Sequence, residues 1–318
     1  MEAERRRPRA DQIRSILLLE MAAELVTDRA WPATQARLML RKQGSAFPWQ
    51  YCLYASDAPS ALQEVADGTV QLAMLNPAEP LAMAVRGVGP FKEPLPLSVI
   101  TVLPSLDQFA FAVDVRTGLE SLADIRDKRY PLKISMREHL DHSDYLIVDQ
   151  VFAALGFSLD DVVSWGGQIV RRRGLSWDHE AHARGEVDAY FEEAVQLWLP
   201  DALEDGMVVL PVDAALLGKV EQMGIRGATL RADEYPGLEK DVPTIDFSGW
   251  PIFTRSDAPD DLVRSFCAAL EARKDRIPSE AGWFLPLDRM CKDGPDTPLT
   301  APLHPAAEAF WRECGYLP

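Results

Sequence analysis

The hydrophobic pattern between residues 121 and 193 predicts strands that alternate with helices. Leu132–Met136 is a short apolar run typical of a buried parallel strand. Tyr145–Leu155 has apolar residues at helical spacing and is followed by Gly156, a common residue after a helix. Gly185–Phe191 has the pattern of a turn and a second buried strand. Strands that alternate with helices indicate an α/β fold with parallel pairing.

The rest of the chain continues this alternation. The pattern predicts helices at Pro32–Arg41, Ala58–Ala66, Glu79–Val85, Asp260–Arg273 and Ala306–Cys314, and strands at Tyr51–Tyr54, Val70–Leu75, Leu97–Leu103, Phe109–Val115 and within Ile245–Arg255. We interpret Phe109–Val115 and Ile245–Arg255 as two strands of a hinge between lobes. This interpretation predicts a discontinuous first lobe, residues 1–115 and 250–318, and an inserted second lobe, residues 116–249.

Two stretches of the chain resemble each other. ALQEVADGTVQLAML, residues 61–75, and HEAHARGEVDAYF, residues 179–191, each combine a helix, a glycine turn and a short apolar strand, about 117 positions apart. The similarity indicates two similarly built lobes, or it reflects a helix, glycine and strand order that is common in α/β proteins.

The charged loop REHLDHSD, residues 137–144, follows the predicted strand that opens the second lobe. Ligands of parallel α/β sheets bind beyond the carboxyl ends of the strands, so the loop is predicted to line a cleft. Arg137 has the geometry for a bidentate contact with a carboxylate. Ser143, Asp144 and Tyr145 lie where the next helix begins, and the free N–H groups of a helix start favour an anion.

Four further residues are candidates for binding a ligand. Tyr190, Glu192 and Glu193 end the second strand of the inserted lobe and are suited to a hydroxyl or an amine. Asn76 follows the predicted strand Val70–Leu75 and is either a helix cap or a cleft residue. Trp250 is suited to stack on an aromatic ligand, although aromatic residues of this kind usually fill a core.

The histidines allow two kinds of chemistry. His139 and His142 titrate near neutral pH and are candidates for general acid and base. His139 and His142, and likewise His179 and His182, also have the HxxH spacing of some metal sites. The first pair lies in a predicted loop, and the GxGxxG, Walker A and GxSxG motifs are absent. We therefore predict neither a metal nor a cofactor.

Composition excludes one class of partner. The 318 residues include 47% hydrophobic and 26% charged residues, as in a globular protein. The net charge of −16 argues against nucleic-acid binding, which requires a basic face. SILLLEMAAELV, near the start, carries Glu20 and Glu24 and reads as an amphipathic helix rather than a secretory signal. A cytoplasmic location is the resulting expectation.

Five stretches of the sequence resemble a known family. In order they are ADGTVQLAML, SLADIRDKRYPLKIS, a helix ending in ALGF, ARGEVDAYFE and LHPAAEAFWRECG, spread over most of residues 55–315. In these stretches the chain resembles the TAXI group of TRAP-transporter solute receptors, which have the type II periplasmic-binding-protein fold. The resemblance implies two α/β lobes with mixed, mostly parallel sheets and a two-strand hinge. It also implies a small bound solute, often an amino acid or other organic acid, membrane transporter subunits as possible partners, and a periplasmic location.

The chain departs from that family in two respects. Its receptors are exported, whereas this sequence shows no clear signal, and the loop at 137–144 is charged where the family usually has small residues. Two functions follow. The first is the binding of a small carboxylate-containing solute. The alternative is a cytoplasmic lyase or decarboxylase acting on an aromatic or short-chain carboxylic acid, with His139 and His142 as acid and base. We favour binding.

Overall fold

The computed structural model describes residues 10–27, 36–41, 50–56, 58–172, 174–280 and 282–318. The chain forms two compact units, Met1–Ala36 and Arg37–Pro318. In the first unit the described element is a helix, Ala10–Thr27. No helix in these ranges combines the length and apolar character that a membrane span requires.

Strands and helices alternate along the chain after the helix Ala10–Thr27 of the first unit. The strands are β1 (Ala36–Arg41), β2 (Gln50–Ser56), β3 (Leu72–Leu75), β4 (Leu97–Leu103), β5 (Gln108–Asp114), β6 (Lys133–Arg137), β7 (Gln168–Arg172), β8 (Ala189–Glu192), β9 (Met207–Val209), β10 (Gly227–Leu230), β11 (Val242–Asp246) and β12 (Trp250–Arg255). The α-helices are α1 (Ala10–Thr27), α2 (Ser60–Ala66), α3 (Glu79–Arg86), α4 (Leu122–Asp127), α5 (Ser143–Leu155), α6 (Leu159–Ser164), α7 (His179–Ala183), α8 (Leu199–Glu204), α9 (Ala214–Gln222), α10 (Asp260–Arg273), α11 (Leu287–Met290) and α12 (Pro305–Glu313).

The strands form two sheets. The first has the order β1-β2-β3-β12-β4, and the second has the order β10-β11-β5-β8-β6-β7, with β9 paired to β5. The predicted two-sheet α/β class is therefore confirmed. Parallel pairing is found for β2 with β3 and for β6 with β7 and β8. The other described strand pairs are antiparallel. The expected parallel pairing is thus found among strands linked by helices, whereas the strands where the chain passes from one sheet to the other pair antiparallel.

Two segments carry the chain between the sheets. Residues 104–107 join β4 to β5, and residues 247–249 join β11 back to β12. The N–H of Gly249 donates to the carbonyl of Ser105 at 2.9 Å, and the Ser248 hydroxyl donates to the carbonyl of Asp107 at 3.0 Å. The two crossings are thus hydrogen bonded to each other. The predicted lobe limits, 1–115 with 250–318 and 116–249, stay a prediction.

One predicted helix is wrong. The described part of Pro32–Arg41, Ala36–Arg41, is strand β1 at the edge of the first sheet. A strand forms here because backbone hydrogen bonding to β2 outweighs the weak helical spacing of six residues. Residues 32–35 lie outside the described ranges.

Each sheet is covered on both faces by apolar side chains. In the first sheet Val99 and Ile100 belong to separate hydrophobic clusters, and in the second sheet Phe111 and Ala112 do the same. Neighbouring residues of a strand point to opposite faces. The two sheets are therefore buried layers, and polar side chains are concentrated at the ends of their strands.

Candidate functional site

The ends of β3, β6 and β8 meet where the two sheets face each other. Asn76, directly after β3, donates from Nδ2 to Oε2 of Glu193 at 3.0 Å, and Glu193 directly follows β8. The Ser143 hydroxyl at the start of α5 donates to the carbonyl of Asn76 at 2.6 Å. These contacts bridge the first sheet to the second. We name the group formed by Asn76, Arg137, His142, Ser143, Asp144, Glu192 and Glu193 the cleft cluster.

Arg137, the last residue of β6, is the cation at the centre of this group. Its Nε lies 3.0 Å from Oε1 of Glu192, and its Nη2 lies 2.5 Å from Oε1 of Glu193. Its side chain is 18% exposed. Burial alone would lower the pKa of Arg137, but the charges of Glu192 and Glu193 outweigh burial and raise it. Arg137 is therefore firmly charged and already paired with two carboxylates.

Asp144 is a third carboxyl group near Arg137, but Arg137 makes no hydrogen bond with it. It is fully buried at the start of α5, and no amide, hydroxyl or cationic N–H of the described residues donates to its oxygens. Its carboxyl is hydrogen bonded to that of Glu192 when one of the two groups holds a proton. Nε of Arg137 is 3.8 Å away, which is too long for a hydrogen bond. Burial, with the nearby charge of Glu193, raises the pKa of Asp144 to about 8. Burial and the charge of Asp144 also raise the pKa of Glu192 well above its usual value.

His142 caps α5 and thereby fixes its own tautomer. Its Nδ1 accepts the N–H of Asp144 at 3.2 Å, so a neutral imidazole carries its proton on Nε2. The same Nδ1 is 3.2 Å from Oδ1 of Asp144, but an accepting nitrogen cannot also donate to that oxygen. Nε2 faces Oε1 of Glu193 at 4.0 Å.

A metal ion fits this cluster poorly. One ligand atom each from His142, Asp144 and Glu193 lie within 4.8 Å of one another, which is close enough for a shared ion. However, the proton on Nε2 of His142 blocks the nitrogen that faces the group, and Arg137 already contacts Glu193. The donor set therefore favours hydrogen-bonded recognition. The predicted absence of a metal stays a prediction.

Asp107 belongs to the same region although it is absent from the predicted site. It lies in the crossing after β4, and its carboxylate accepts the N–H of Ala194 at 3.0 Å, next to Glu193. Burial and the charge of Glu193 raise the pKa of Asp107 to about 7. The sequence places Asp107 between the predicted strands Leu97–Leu103 and Phe109–Val115. This position could have marked it as a site residue, because the segment that joins two sheets lies between them.

Four of the predicted site residues play other parts. The Tyr145 hydroxyl donates to the carbonyl of Arg137 at 2.6 Å and so supports the loop. His139 is exposed on that loop. Tyr190 is buried, with its ring 4.5 Å from that of Trp198 and its hydroxyl donating to carbonyls in the loop before α7. Trp250 is partly buried at the start of β12, opposite Leu103.

Asn76 does not cap a helix. The α3 helix begins at Glu79, its cap residue is Ala78, and the proline in its first turn is Pro80 rather than Pro77. The side chain of Asn76 is therefore free of helix capping and reaches across to Glu193. The interpretation of Asn76 as a helix cap is therefore wrong, and its role in a ligand cleft stays a prediction.

A cavity of about 400 Å³ lies beside the cluster. Its lining includes His142, Tyr145, Asp141 and Pro59. Across its rim the N–H of Ser60, at the start of α2, donates to Oδ1 of Asp141 at 3.3 Å, and the Ser60 hydroxyl also contacts this carboxylate. His142 therefore links the buried cluster to an outer space between α2 and α5.

The second HxxH pair lies elsewhere. Nε2 of His182 is 2.7 Å from Oδ2 of Asp114, and Nδ1 of His179 is 2.6 Å from Oδ2 of Asp205. All four residues line a separate cavity of about 500 Å³. Each histidine is thus held by its own aspartate, and the spacing alone does not establish a shared metal.

Several solved structures are similar to the chain at low sequence identity. The alkanesulfonate-binding protein SsuA from Xanthomonas axonopodis pv. citri bound to MOPS is similar at 16% identity over 68% of this chain and 60% of its own, with a TM-score of 0.30. The periplasmic aliphatic sulphonate binding protein SsuA from Escherichia coli is similar at 14% identity over 68% and 58%, with a TM-score of 0.33. An ancestral arginine-binding protein bound to arginine is similar at 13% identity over 68% and 71%, with a TM-score of 0.32. The match thus spans about 60% of the length of the two sulphonate-binding proteins.

A search of curated protein sequences finds no match. The model of the NMT1-like family, in contrast, matches residues 55–315. This range contains both sheets except for β1 and the first residues of β2, and it contains the whole cleft cluster. The protein therefore belongs to the NMT1-like family.

Proposed function

We propose that the protein binds a small polar solute at the cleft cluster and releases it unchanged. The observation that carries the proposal is the hydrogen bond from Asn76 to Glu193, which joins the strand ends of two sheets at 3.0 Å. The chain passes between the sheets only at 104–107 and 247–249 in the described part of the second unit. This geometry supports opening and closing around a ligand.

We propose that the solute carries hydrogen-bond donors in addition to any carboxylate. Arg137 is a cation suited to bidentate pairing with a carboxylate. Because Nε and Nη2 of Arg137 face Glu192 and Glu193, an incoming carboxylate has to compete with two anions of the protein. A solute with an anionic group alone is therefore less suited to the site than an amino acid or another solute that also carries donors.

The remaining parts of the proposal follow from the resemblance. A TAXI-type receptor is expected to pass its solute to membrane transporter subunits, and we propose these as partners. The expectation of a cytoplasmic location rests on the lack of a clear signal and gains no support from the comparisons. We propose the periplasmic alternative, which cell fractionation with an antibody to the chain would test.

A thermal-unfolding screen tests the proposal. Amino acids, organic acids, sulfonates and amines are added singly to the wild type and to Glu193→Gln. A ligand present at about one hundred times its dissociation constant stabilises the folded state by about 2.7 kcal/mol. At least one solute is expected to raise the melting temperature of the wild type and to lose this effect in the variant. Exposed Glu234→Gln is the matched control. A flat response to every solute class would contradict the proposal.

An enzyme is the second candidate, and one observation favours it. Asp144 and Asp107 are carboxyl groups with pKa values raised to about 8 and about 7, chiefly by burial, so they hold protons near neutral pH. A lyase or decarboxylase requires such a group to protonate a carbanion. His142, with its proton on Nε2, is the other candidate acid, whereas exposed His139 is poorly placed for this role. Consumption of a carboxylic acid by the wild type, lost in His142→Ala, would establish this function.

A further inference from the structure

We infer that the solute of the cleft cluster carries a cationic nitrogen group rich in N–H donors, such as an ammonium or an amidinium. The inference rests on the proposed function and names the chemical class of its ligand. It depends on two independent features of the cluster, its surplus of carboxylates and its buried acceptors without donors.

Acidic groups outnumber basic ones at the cluster. The carboxyl groups of Asp144, Glu192 and Glu193, with that of Asp107 nearby, face one guanidinium, that of Arg137. Because the pKa values of Asp107 and Asp144 are raised to about 7 and about 8, these two groups are largely protonated near neutral pH, and a cation beside them favours their ionised form. A buried charge is costly unless a charge of opposite sign and hydrogen bonds compensate it. Arg137 compensates Glu192 and Glu193 directly but remains 3.8 Å from Asp144. A cation beside Asp144 would supply the missing compensation, and an anion would add to the surplus.

The unsatisfied atoms of the cluster are all of one kind. Three buried oxygens accept no N–H or hydroxyl from the described residues: Oδ1 of Asn76, and Oδ1 and Oδ2 of Asp144, whose carboxyl can share only a proton with that of Glu192. Asn76 forms the bridge between the sheets through Glu193, and Asp144 follows Ser143, whose hydroxyl donates to the carbonyl of Asn76. Buried acceptors require donors. An ammonium offers three N–H donors, and an amidinium offers a planar pair suited to a carboxylate.

Other cations fit less well. A metal ion would need the ring nitrogen of His142 that faces Glu193, and that nitrogen carries the proton in the neutral residue. The same Nε2–H is a donor, so it does not compete with the ligand for the oxygens of Asp144. His142 also lines the outer cavity of about 400 Å³, whose lining includes the acidic residues Asp141, Asp149 and Asp160. An acidic lining attracts a cation.

Calorimetric titration of four ring-matched compounds tests the inference. Benzylamine, benzamidine, benzyl alcohol and benzoate share one ring and differ in charge and donors. At pH 7.5 the two cations are expected to bind the wild type at least about tenfold more tightly than the alcohol, with no heat from benzoate. Asp144→Asn, which keeps the shape of the side chain, is expected to lose at least about tenfold of this affinity.

Two controls separate charge from folding. Asp288→Asn removes the same charge from an exposed position outside the cavity lining and is expected to keep cation affinity within about twofold. Glu192→Gln, judged folded by circular dichroism, is the second cluster variant and is expected to weaken the cations as well. Equal cation affinity in the wild type and Asp144→Asn would overturn the inference.

The remaining outcomes distinguish this inference from the proposed function. Tighter binding of benzoate than of both cations would overturn the inference and leave solute binding standing. Failure of all four compounds, together with a solute of the wider screen that stabilises the protein without any cationic group, would have the same meaning. Failure of the four compounds and of the entire screen would overturn both.

Discussion

Asn76 and Glu193 are 117 positions apart and share a 3.0 Å hydrogen bond between the two sheets. The same spacing relates β3, Leu72–Leu75, to β8, Ala189–Glu192. The two residues therefore occupy equivalent positions, each directly after a short strand that follows a helix. Of the two explanations for the internal similarity of the sequence, this supports two similarly built halves whose strand ends face each other.

Loss of the bridging amide is expected to weaken the folded state. Asn76→Ala leaves Oε2 of Glu193 without its donor in a largely buried place. The expected loss in the free energy of unfolding is about 1–3 kcal/mol. Urea denaturation measures it, with Gln222→Ala, exposed at the end of α9, as the control that should change little. Equal stability of Asn76→Ala and the wild type would show that this hydrogen bond does not contribute to the free energy of unfolding.

Loss of the central cation is expected to cost more. Arg137→Ala removes the partner of Glu192 and Glu193 and leaves a set of uncompensated carboxylates. Removing one partner of a buried ion pair costs about 3–5 kcal/mol. The loss should shrink at pH 5, where these carboxylates take up protons. Arg184→Ala is the control, because Arg184 pairs with Glu180 and Glu186 on the surface and should show no measurable loss. A loss that is the same at pH 5 and pH 8 would contradict this assignment.

The cleft cluster predicts a protein that becomes less stable as pH rises. Unfolded aspartates titrate near pH 4, whereas burial and the charge of Glu193 raise the pKa of folded Asp107 to about 7 and that of Asp144 to about 8. Between these values the folded state binds more protons than the unfolded state, so the free energy of unfolding falls with rising pH. Urea titrations from pH 4.5 to pH 8.5 measure the slope. Asp144→Asn should flatten it, and a wild-type slope of opposite sign would contradict the assignment.

A glycine at the crossing between the sheets is expected to be irreplaceable. Gly249 has φ +77°, and an added Cβ would meet the ring of Pro298 and the side chain of Val102. Gly249→Ala should cost at least about 1–3 kcal/mol from its backbone conformation alone. Gly218→Ala, in the open middle of α9, is the matched control and should gain about 0.5–1 kcal/mol. Thermal unfolding compares the two, and a neutral Gly249→Ala would show that the crossing tolerates rearrangement.

The sequence predicts much of the fold because the decisive signals are local. The sequence predicts a strand at Leu132–Met136, and β6 covers Lys133–Arg137. The predicted helix at Tyr145–Leu155 is α5, which begins two residues earlier. The edge strand β1 was missed because its partner strand, rather than its own residues, decides its conformation.

The site is predicted less completely because side-chain direction depends on tertiary structure. His139 and His142 look alike in the loop, yet only His142 caps α5 and turns inward. Tyr190 and Glu192 are two residues apart in β8 and so share a face of the strand. The ring of Tyr190 nevertheless packs against that of Trp198 in an aromatic cluster and does not join the cleft cluster. Asp107 reaches the cluster only because the crossing places it beside Glu193, a relation between distant parts of the chain.

Equilibrium dialysis against a mixture of amino acids, amines, sulfonates and carboxylic acids, followed by mass spectrometry, tests solute binding at the cleft cluster most directly. Wild type, Glu193→Gln and the exposed control Glu234→Gln are compared on the protein side and in bulk solution. We expect a nitrogen-containing solute to be enriched on the wild type and the control, lost from Glu193→Gln and unchanged in mass. Enrichment of no solute, or depletion of one solute with the appearance of a new product mass, would contradict this expectation.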